Sequence, residues 1–197
     1  MNIIAIDLGT YCGVSILDID GAPQIYTTAL NSNRKTYGMQ FAAFETALED
    51  IISKYHKSKV CAVFFEDVKR HSSTAAAHMY GYYRGALQRL CHKYNIECVG
   101  IAVGTIKKHV TGSGNASKEM VAESCKERIH ADGAPIPLFS LVPSRGRAPY
   151  APVDISTLTD DQTDSIAIAL TAWSMLISGE PLKDSSDPTR RVHLSYK

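Results

Sequence analysis

Four carboxylates occupy positions that solubility alone does not explain. Asp7 follows Ile3-Ile4-Ala5-Ile6 and precedes Leu8-Gly9-Thr10, and Glu66 follows the apolar run Val60 to Phe65. An acid that ends a buried run is costly to desolvate unless something compensates its charge. Asp161 and Asp164 are spaced i, i+3 where a helical pattern begins, so they share a face of its opening turns. Ile166, Ile168, Leu170 and Trp173 follow, which makes the rest of that helix mostly buried. Acids brought together repel: two charges ~4 Å apart at an effective dielectric near 20 cost about 4 kcal/mol. Divalent cations resolve this, and hard oxygen donors suit Mg²⁺ or Mn²⁺, which also bind phosphate oxygens. Two such ions ~3.5–4 Å apart activate a water and stabilise the leaving oxygen in phosphodiester hydrolysis. Each acid alone has a plainer use. Acids in a first helical turn complement the dipole, and Asp-x-Gly after a strand often makes a turn. Their conjunction is what points to chemistry.

The elements that must position these acids follow from periodicity. Asn2 to Leu8, Gly13 to Asp18 and Gln24 to Leu30 read as strands, with turn residues Asp20, Gly21 and Pro23 between the last two. Short turns make this meander antiparallel. Tyr37 to Tyr55 has helical spacing, with Phe41, Phe44, Leu48, Ile51 and Ile52 on one stripe. Val60 to Phe65 reads as a strand buried on both faces. A long helix is expected over Ser73 to Tyr94, with Met79, Tyr83, Leu87 and Leu90 on one face and Gly81 and Gly85 on another, where a neighbouring backbone can approach. Ile96 to Val103 is a fifth strand, Thr105 to Val110 a short helix, and Lys118 to Arg128 a helix capped by Ser117. From His130 to Leu158 the pattern fails, and Pro135, Pro137, Pro143, Pro149 and Pro152 mark a long loop or insertion. The last helix spans Asp160 to Ser178, with capping-box spacing at Thr159 and Gln162 and Gly179 at its end. This order predicts an α/β domain over 1–179, a mixed five-stranded sheet flanked by helices, followed by a polar tail at 180–197 expected to be mobile.

Bulk properties bound the reading without deciding it. The chain has 197 residues, 45% of them hydrophobic, enough for one compact core. The net charge of +1 means that any nucleic-acid-binding charge must be local. The cysteines Cys12, Cys61, Cys91, Cys98 and Cys125 include no C-x-x-C pair and read as reduced core thiols, not a zinc site. No leader peptide or membrane-length apolar run is expected, which suggests a soluble protein of the cytoplasm, or of the host cytoplasm if the chain is phage-encoded.

Asp7 with Gly9, Glu66, Asp161 and Asp164 match, in order and context, the four acids of the RuvC family of Holliday-junction resolvases. Three further segments carry the resemblance: Gly81-Tyr82-Tyr83-Arg84-Gly85-Ala86, the turn Val110 to Ser117 leading to Lys118, and Asp161 to Ala169. Together they cover roughly residues 1–128 and 160–175. The resemblance implies an RNase H-like fold and a homodimer. It further implies Mg²⁺-dependent, symmetric nicking of two strands at a four-way junction to leave 5′-phosphate ends, with two ions per active site and Mn²⁺ as a substitute. Lys118 would then lie near the scissile phosphate and stabilise developing charge. A first helical turn is otherwise a poor place for a cation. The two-fold symmetry of a junction asks for two opposed active sites, and the Gly81 and Gly85 face is the expected interface.

Two departures from the family pattern stand out. The wedging aromatic that follows the second acid is missing, and Asp67-Val68-Lys69-Arg70-His71 stands in its place; His71 or Tyr80 is a candidate to stack instead. The stretch 130–158 is much longer than usual and carries Arg145 and Arg147. Expected DNA contacts are Lys69, Arg70, His71, Arg84, Lys107, Lys108, Ser117, Lys118, Arg145 and Arg147. Glu119, Glu123 and Asp160 are reserve ligands. The rival readings are a related nuclease acting on flaps, forks or RNA, and an inactive junction-binding protein. Ile4 to Thr10 also resembles a phosphate motif of actin-like ATPases, but no second glycine-rich phosphate loop follows. A partner branch-migration helicase is not specified.

Overall fold

The computed structural model describes residues 1–56, 60–130, 135–141, 152–179, 181–192 and 194. The opening meander forms as expected: β1 (Asn2–Asp7), β2 (Tyr11–Asp18) and β3 (Gln24–Asn31) pair antiparallel in sequence. Helix α1 (Tyr37–His56) crosses to β4 (Val60–Asp67), which lies parallel to β1, and α2 (Thr74–Lys93) crosses to β5 (Glu97–Ala102), parallel to β4. Helices α3 (Val103–Thr111), α4 (Lys118–Ile129) and α5 (Asp160–Ser178) follow, with β6 (Leu138–Ser140) and a 3₁₀ turn at Ile155–Thr157 between the last two. The sheet order is β5-β4-β1-β2-β3-β6.

The sheet therefore has six strands, one more than the sequence predicts. The extra strand, β6, runs parallel to β3 inside the proline-rich stretch. Three residues are too few to show period-2 alternation, yet Ile136, Leu138 and Leu141 are buried. The stretch is thus partly built into the sheet, and Phe139 also bridges to Pro152. Residues 131–134 and 142–151, with Arg145 and Arg147, lie outside the described residues.

Alternation along the strands divides the core in two. Ile3, Ala5, Leu17, Ala62 and Phe64 pack against α5, α3 and α4, whereas Ile4, Ile6, Val14, Ile16, Val63 and Phe65 pack against α1 and α2. Each fully buried aliphatic or aromatic side chain contributes about 1.5–3 kcal/mol, and both faces of the central strands are filled this way.

Helix ends match their signals. Ser73 caps α2 and Ser117 caps α4, while Thr159 and Gln162 form a reciprocal capping box at α5. Gly179 ends α5 at φ 68°, a conformation that favours glycine.

The tail expectation is corrected for residues 181–192. Strands β7 (Leu182–Lys183) and β8 (Arg191–Val192) form a small hairpin with Leu182 and Val192 buried. Asp184 and Ser185 hydrogen-bond the edge strand at Gly100, through Gly100 N–H to Asp184 Oδ1 (3.0 Å) and Ser185 N–H to Gly100 O (2.9 Å). These bonds occupy peptide groups that an open sheet edge would leave unpaired. No helix among the described residues is long and apolar enough to cross a membrane.

Candidate active site

Strand register explains how two acids distant in sequence come together. Strands β1 and β4 are parallel neighbours paired through Ile6 and Phe65, so the next residues, Asp7 and Glu66, lie side by side at the carboxyl end of both strands. The alternation of β1 and β4 turns both towards the face covered by α5. Ligand sites of open α/β sheets form at these carboxyl ends of parallel strands.

Helix α5 supplies the other two acids because β2 lets it come close. Gly13 pairs with Asp7, and a Cβ at Gly13 would lie 1.7 Å from the backbone oxygen of Asp161. No side chain fits there, so glycine is required for the first turn of α5 to rest on the sheet. A buried hydroxyl relay fixes the same contact. Ser15 Oγ lies 2.7 Å from Ser165 Oγ and donates to Thr27 Oγ1 at 3.1 Å, while Ser165 donates to the carbonyl of Gln162 at 2.8 Å.

The electrostatics are those of one mutually repelling group. Burial, then the charges of Glu66, Asp164 and Asp161, push Asp7 up to about 8, against the pull of Lys118. Burial and Asp164 push Glu66 up to about 7, opposed by Lys107 and Lys118. Asp161 and Asp164 are also raised, chiefly by burial, and Lys118 opposes both shifts. Among the described residues no ion pair reaches any of these carboxylates. Lys118 is exposed, acts on all four, and has its nearest carboxylate partner in Asp160 at 3.9 Å.

The donor set fits a hard divalent cation. It holds carboxylate oxygens only, partly buried, whose raised pKa values show that the described residues offset their charge only in part. Asp7, Glu66, Asp161 and Asp164 are the residues that would hold it. They face one end without being drawn tight: among the described residues no three His, Cys, Asp or Glu side chains meet closely enough to hold a metal ion.

The expected DNA contacts fall into two groups. Lys107 faces the acids, with its Nζ donating to Ala116 O at 2.7 Å, while Lys108 and Arg70 are exposed. Ser117 serves as the α4 cap. Lys69 and Arg84 pair with Asp67 within the fold. Lys69 pairs with it at 2.5 Å and donates to Ser185 O, and Arg84 lies 3.5 Å from it and donates to Ser186 O. The His71 ring rests on Tyr80 at 4.8 Å, and the Tyr80 hydroxyl donates to Glu66 O. Of the reserve ligands, Asp160 adjoins the site, whereas Glu119 and Glu123 are exposed on α4. Sequence reading missed Gly13, the Ser15–Thr27–Ser165 relay and Asp67. A glycine amid buried strand residues was the one available signal.

The fold and site define a class, an RNase H-like α/β domain whose central strand ends and last helix present four acids. Comparisons specify it further. No family profile matches the chain. It is 26% identical to the crossover junction endodeoxyribonuclease RuvC of Rickettsia akari over 70% of this chain and 72% of that protein. It is 31% identical to the RuvC of Rickettsia typhi over 46% of this chain, where the match spans about half of that relative (55%). The fold is that of Thermus thermophilus RuvC in complex with a Holliday junction substrate, with TM-score 0.66, 17% identity, and coverage of 90% of this chain and 96% of that one. It is also similar to the yeast mitochondrial Holliday junction resolvase Ydc2, with TM-score 0.54, 16% identity, and coverage of 87% and 76%. The resemblance to RuvC resolvases thus stands in both sequence and fold.

Proposed function

We propose that this protein is a metal-dependent endonuclease that resolves four-way DNA junctions by symmetric phosphodiester hydrolysis. The observation that supports the reading is that Asp7, Glu66, Asp161 and Asp164 face one sheet end, with the charges of the other three raising Asp7 and with none ion-paired among the described residues. Similarity to proteins named as crossover junction endodeoxyribonucleases supplies the substrate class. Mg²⁺, two ions per site with Mn²⁺ as a substitute, would be held by the four acids, would lower the pKa of a bound water and would offset charge on the leaving oxygen. Lys118, exposed and 3.9 Å from Asp160, would meet a phosphate oxygen. Products would carry 5′-phosphates. We place the enzyme in the cytoplasm, or the host cytoplasm if phage-encoded.

A homodimer fits the two-fold symmetry of a junction. Gly81 and Gly85 are exposed on α2 with open space where side chains would stand, so a second backbone can approach. Light scattering at tens of micromolar checks this, and a monomer there counts against it.

The deciding experiment incubates wild type and Asp161→Asn with an immobile four-way junction in Mg²⁺ and in EDTA, beside flap, fork, RNA-containing and linear controls. Expected are paired symmetric nicks on the junction, lost in EDTA and reduced about 10³-fold or more in the variant, with binding retained. Equal cutting of flaps or forks would make it a general branched-DNA nuclease. Binding without cutting would make it an architectural protein.

A further inference from the structure

Among the described residues, the well-exposed large apolar side chains are Tyr11, Tyr37, Met39, Met120 and Ile177. Single exposures scattered over a surface are ordinary, but four of these five gather at the acid end. Met120 shares the first turn of α4 with Lys118. Tyr37 and Met39 open α1, whose Gln40 amide donates to Thr10 Oγ1 in the turn after Asp7. Tyr11 opens β2 itself.

Tyr11 is the best placed of them. The alternation of β2 sets it on the same face as Gly13, Ser15 and Leu17, the face towards which Asp7 and Glu66 turn. It lies two residues beyond Gly13, about 7 Å along the strand, and Gly13 both pairs with Asp7 and touches the Asp161 backbone. Its side of the strand end is open: Tyr11 is 52% exposed, and its ring stacks on no other among the described residues. The other aromatics at this end are occupied. His71 leans on Tyr80, and Tyr37 heads a column with Phe41 and Tyr82. Basic charge lies alongside. Arg34 is anchored by its Nη1 to the carbonyls of Asn31, the strand partner of Tyr11, and of Asn33, and Lys35 follows it. An open aromatic ring beside backbone-tracking cations is the arrangement that binds unpaired nucleotides.

We propose that Tyr11 is a base-stacking residue: its ring packs against an unpaired nucleobase at the branch point of a DNA substrate, beside the strand presented to the four acids. The inference rests on the nuclease reading above and names the residue that selects unpaired over paired DNA.

The test uses four-way junctions carrying 2-aminopurine at the branch point, bound by the full chain in an Asp161→Asn background so that cleavage does not interfere. Tyr11→Ala is expected to weaken junction binding about tenfold and to abolish the fluorescence change seen with the parent. Tyr11→Phe keeps both, and affinity for linear duplex is unchanged in either. In the Asp161 background of the wild type, Tyr11→Ala cleaves junctions about tenfold less efficiently at subsaturating protein. Since the residue is exposed, thermal melting of the variants should match the parent. Unchanged fluorescence and affinity in Tyr11→Ala overturn the proposal, as does an equal loss of affinity for linear duplex, which would make Tyr11 a general contact. If the wild type cuts no branched DNA, the nuclease reading fails and this one with it. If it cuts and Tyr11→Ala cuts equally well, only the stacking role fails.

Discussion

Glu66 and Asp67 are neighbours on β4, and they meet opposite treatment. Glu66 turns to the α5 face, where it joins Asp7, Asp161 and Asp164 and finds Lys107 and Lys118 only at a distance. Asp67 turns to the other face and is buried with its charge answered: Lys69 at 2.5 Å, Arg84 at 3.5 Å and the Ser185 hydroxyl at 3.0 Å. Beside it Asp184 is bound by Gly100 N–H, by Ser186 and by Arg190. One cluster is neutralised by the protein and locks the C-terminal hairpin onto the sheet. The other has no ion-pair partner among the described residues, and its raised pKa values show that its charge is only partly offset. A buried carboxylate with its own cation is structure, whereas a group of carboxylates without one is a site.

The contrast is broken most directly at Gly13. Gly13→Ala puts a methyl 1.7 Å from Asp161 O, so the first turn of α5 must lift. We expect destabilisation of about 3 kcal/mol or more and near-complete loss of cleavage, read by urea unfolding and junction assays. A fully active, stable variant would show that α5 does not rest there. Lys118→Ala comes next. Its exposure predicts unfolding free energy within about 0.5 kcal/mol of wild type, while cleavage falls about 10²-fold, the usual cost of one charge-stabilising donor. Equal activity would reduce Lys118 to a solvated side chain.

Asp67→Ala tests the neutralised cluster. Removing the carboxylate strands Arg84 and releases Ser185, so stability should drop about 2 kcal/mol, below the range for fully buried pairs because Lys69 is largely exposed. Cleavage per folded molecule should change little, and hydrogen exchange should rise at Gly100 and along 182–192. The last test is the effect of pH on the metal-free protein. Asp7 and Glu66 have folded pKa values raised above their unfolded values of 3.8 and 4.5. Their protons are held more tightly by the folded state, so the stability they contribute is full below about pH 4 and is lost as pH rises through about 7 and 8. The melting temperature in EDTA should fall as pH rises from 5 to 8, and Asp7→Asn should flatten that slope. A slope of opposite sign would mean the acids are not mutually destabilised.

Much of this was legible before any coordinates. The strands of the meander, the helix boundaries, the caps at Ser117 and Thr159, and the acids ending β1 and β4 all follow from local patterns, because burial and capping act over a few residues. Strand β6 was not legible, since its burial depends on β3, more than 100 residues earlier. The hairpin at 181–192 is polar in composition, and its hold on the sheet comes from single partners: Gly100, Asp67, Arg84 and Cys98 O. The pairing of Lys69 and Arg84 with Asp67 was not legible either, because a sequence shows a cation but not the acid beside it.

The amino-acid sequence by itself determined which residues are acids at the ends of apolar elements, since desolvating a charge is too costly to be accidental in that setting. Only the tertiary structure decided which of those acids share a site and which are answered within the fold, because parallel pairing of β1 with β4, the alternation of side chains across the sheet and the close approach of α5 at Gly13 are long-range contacts that no local pattern encodes.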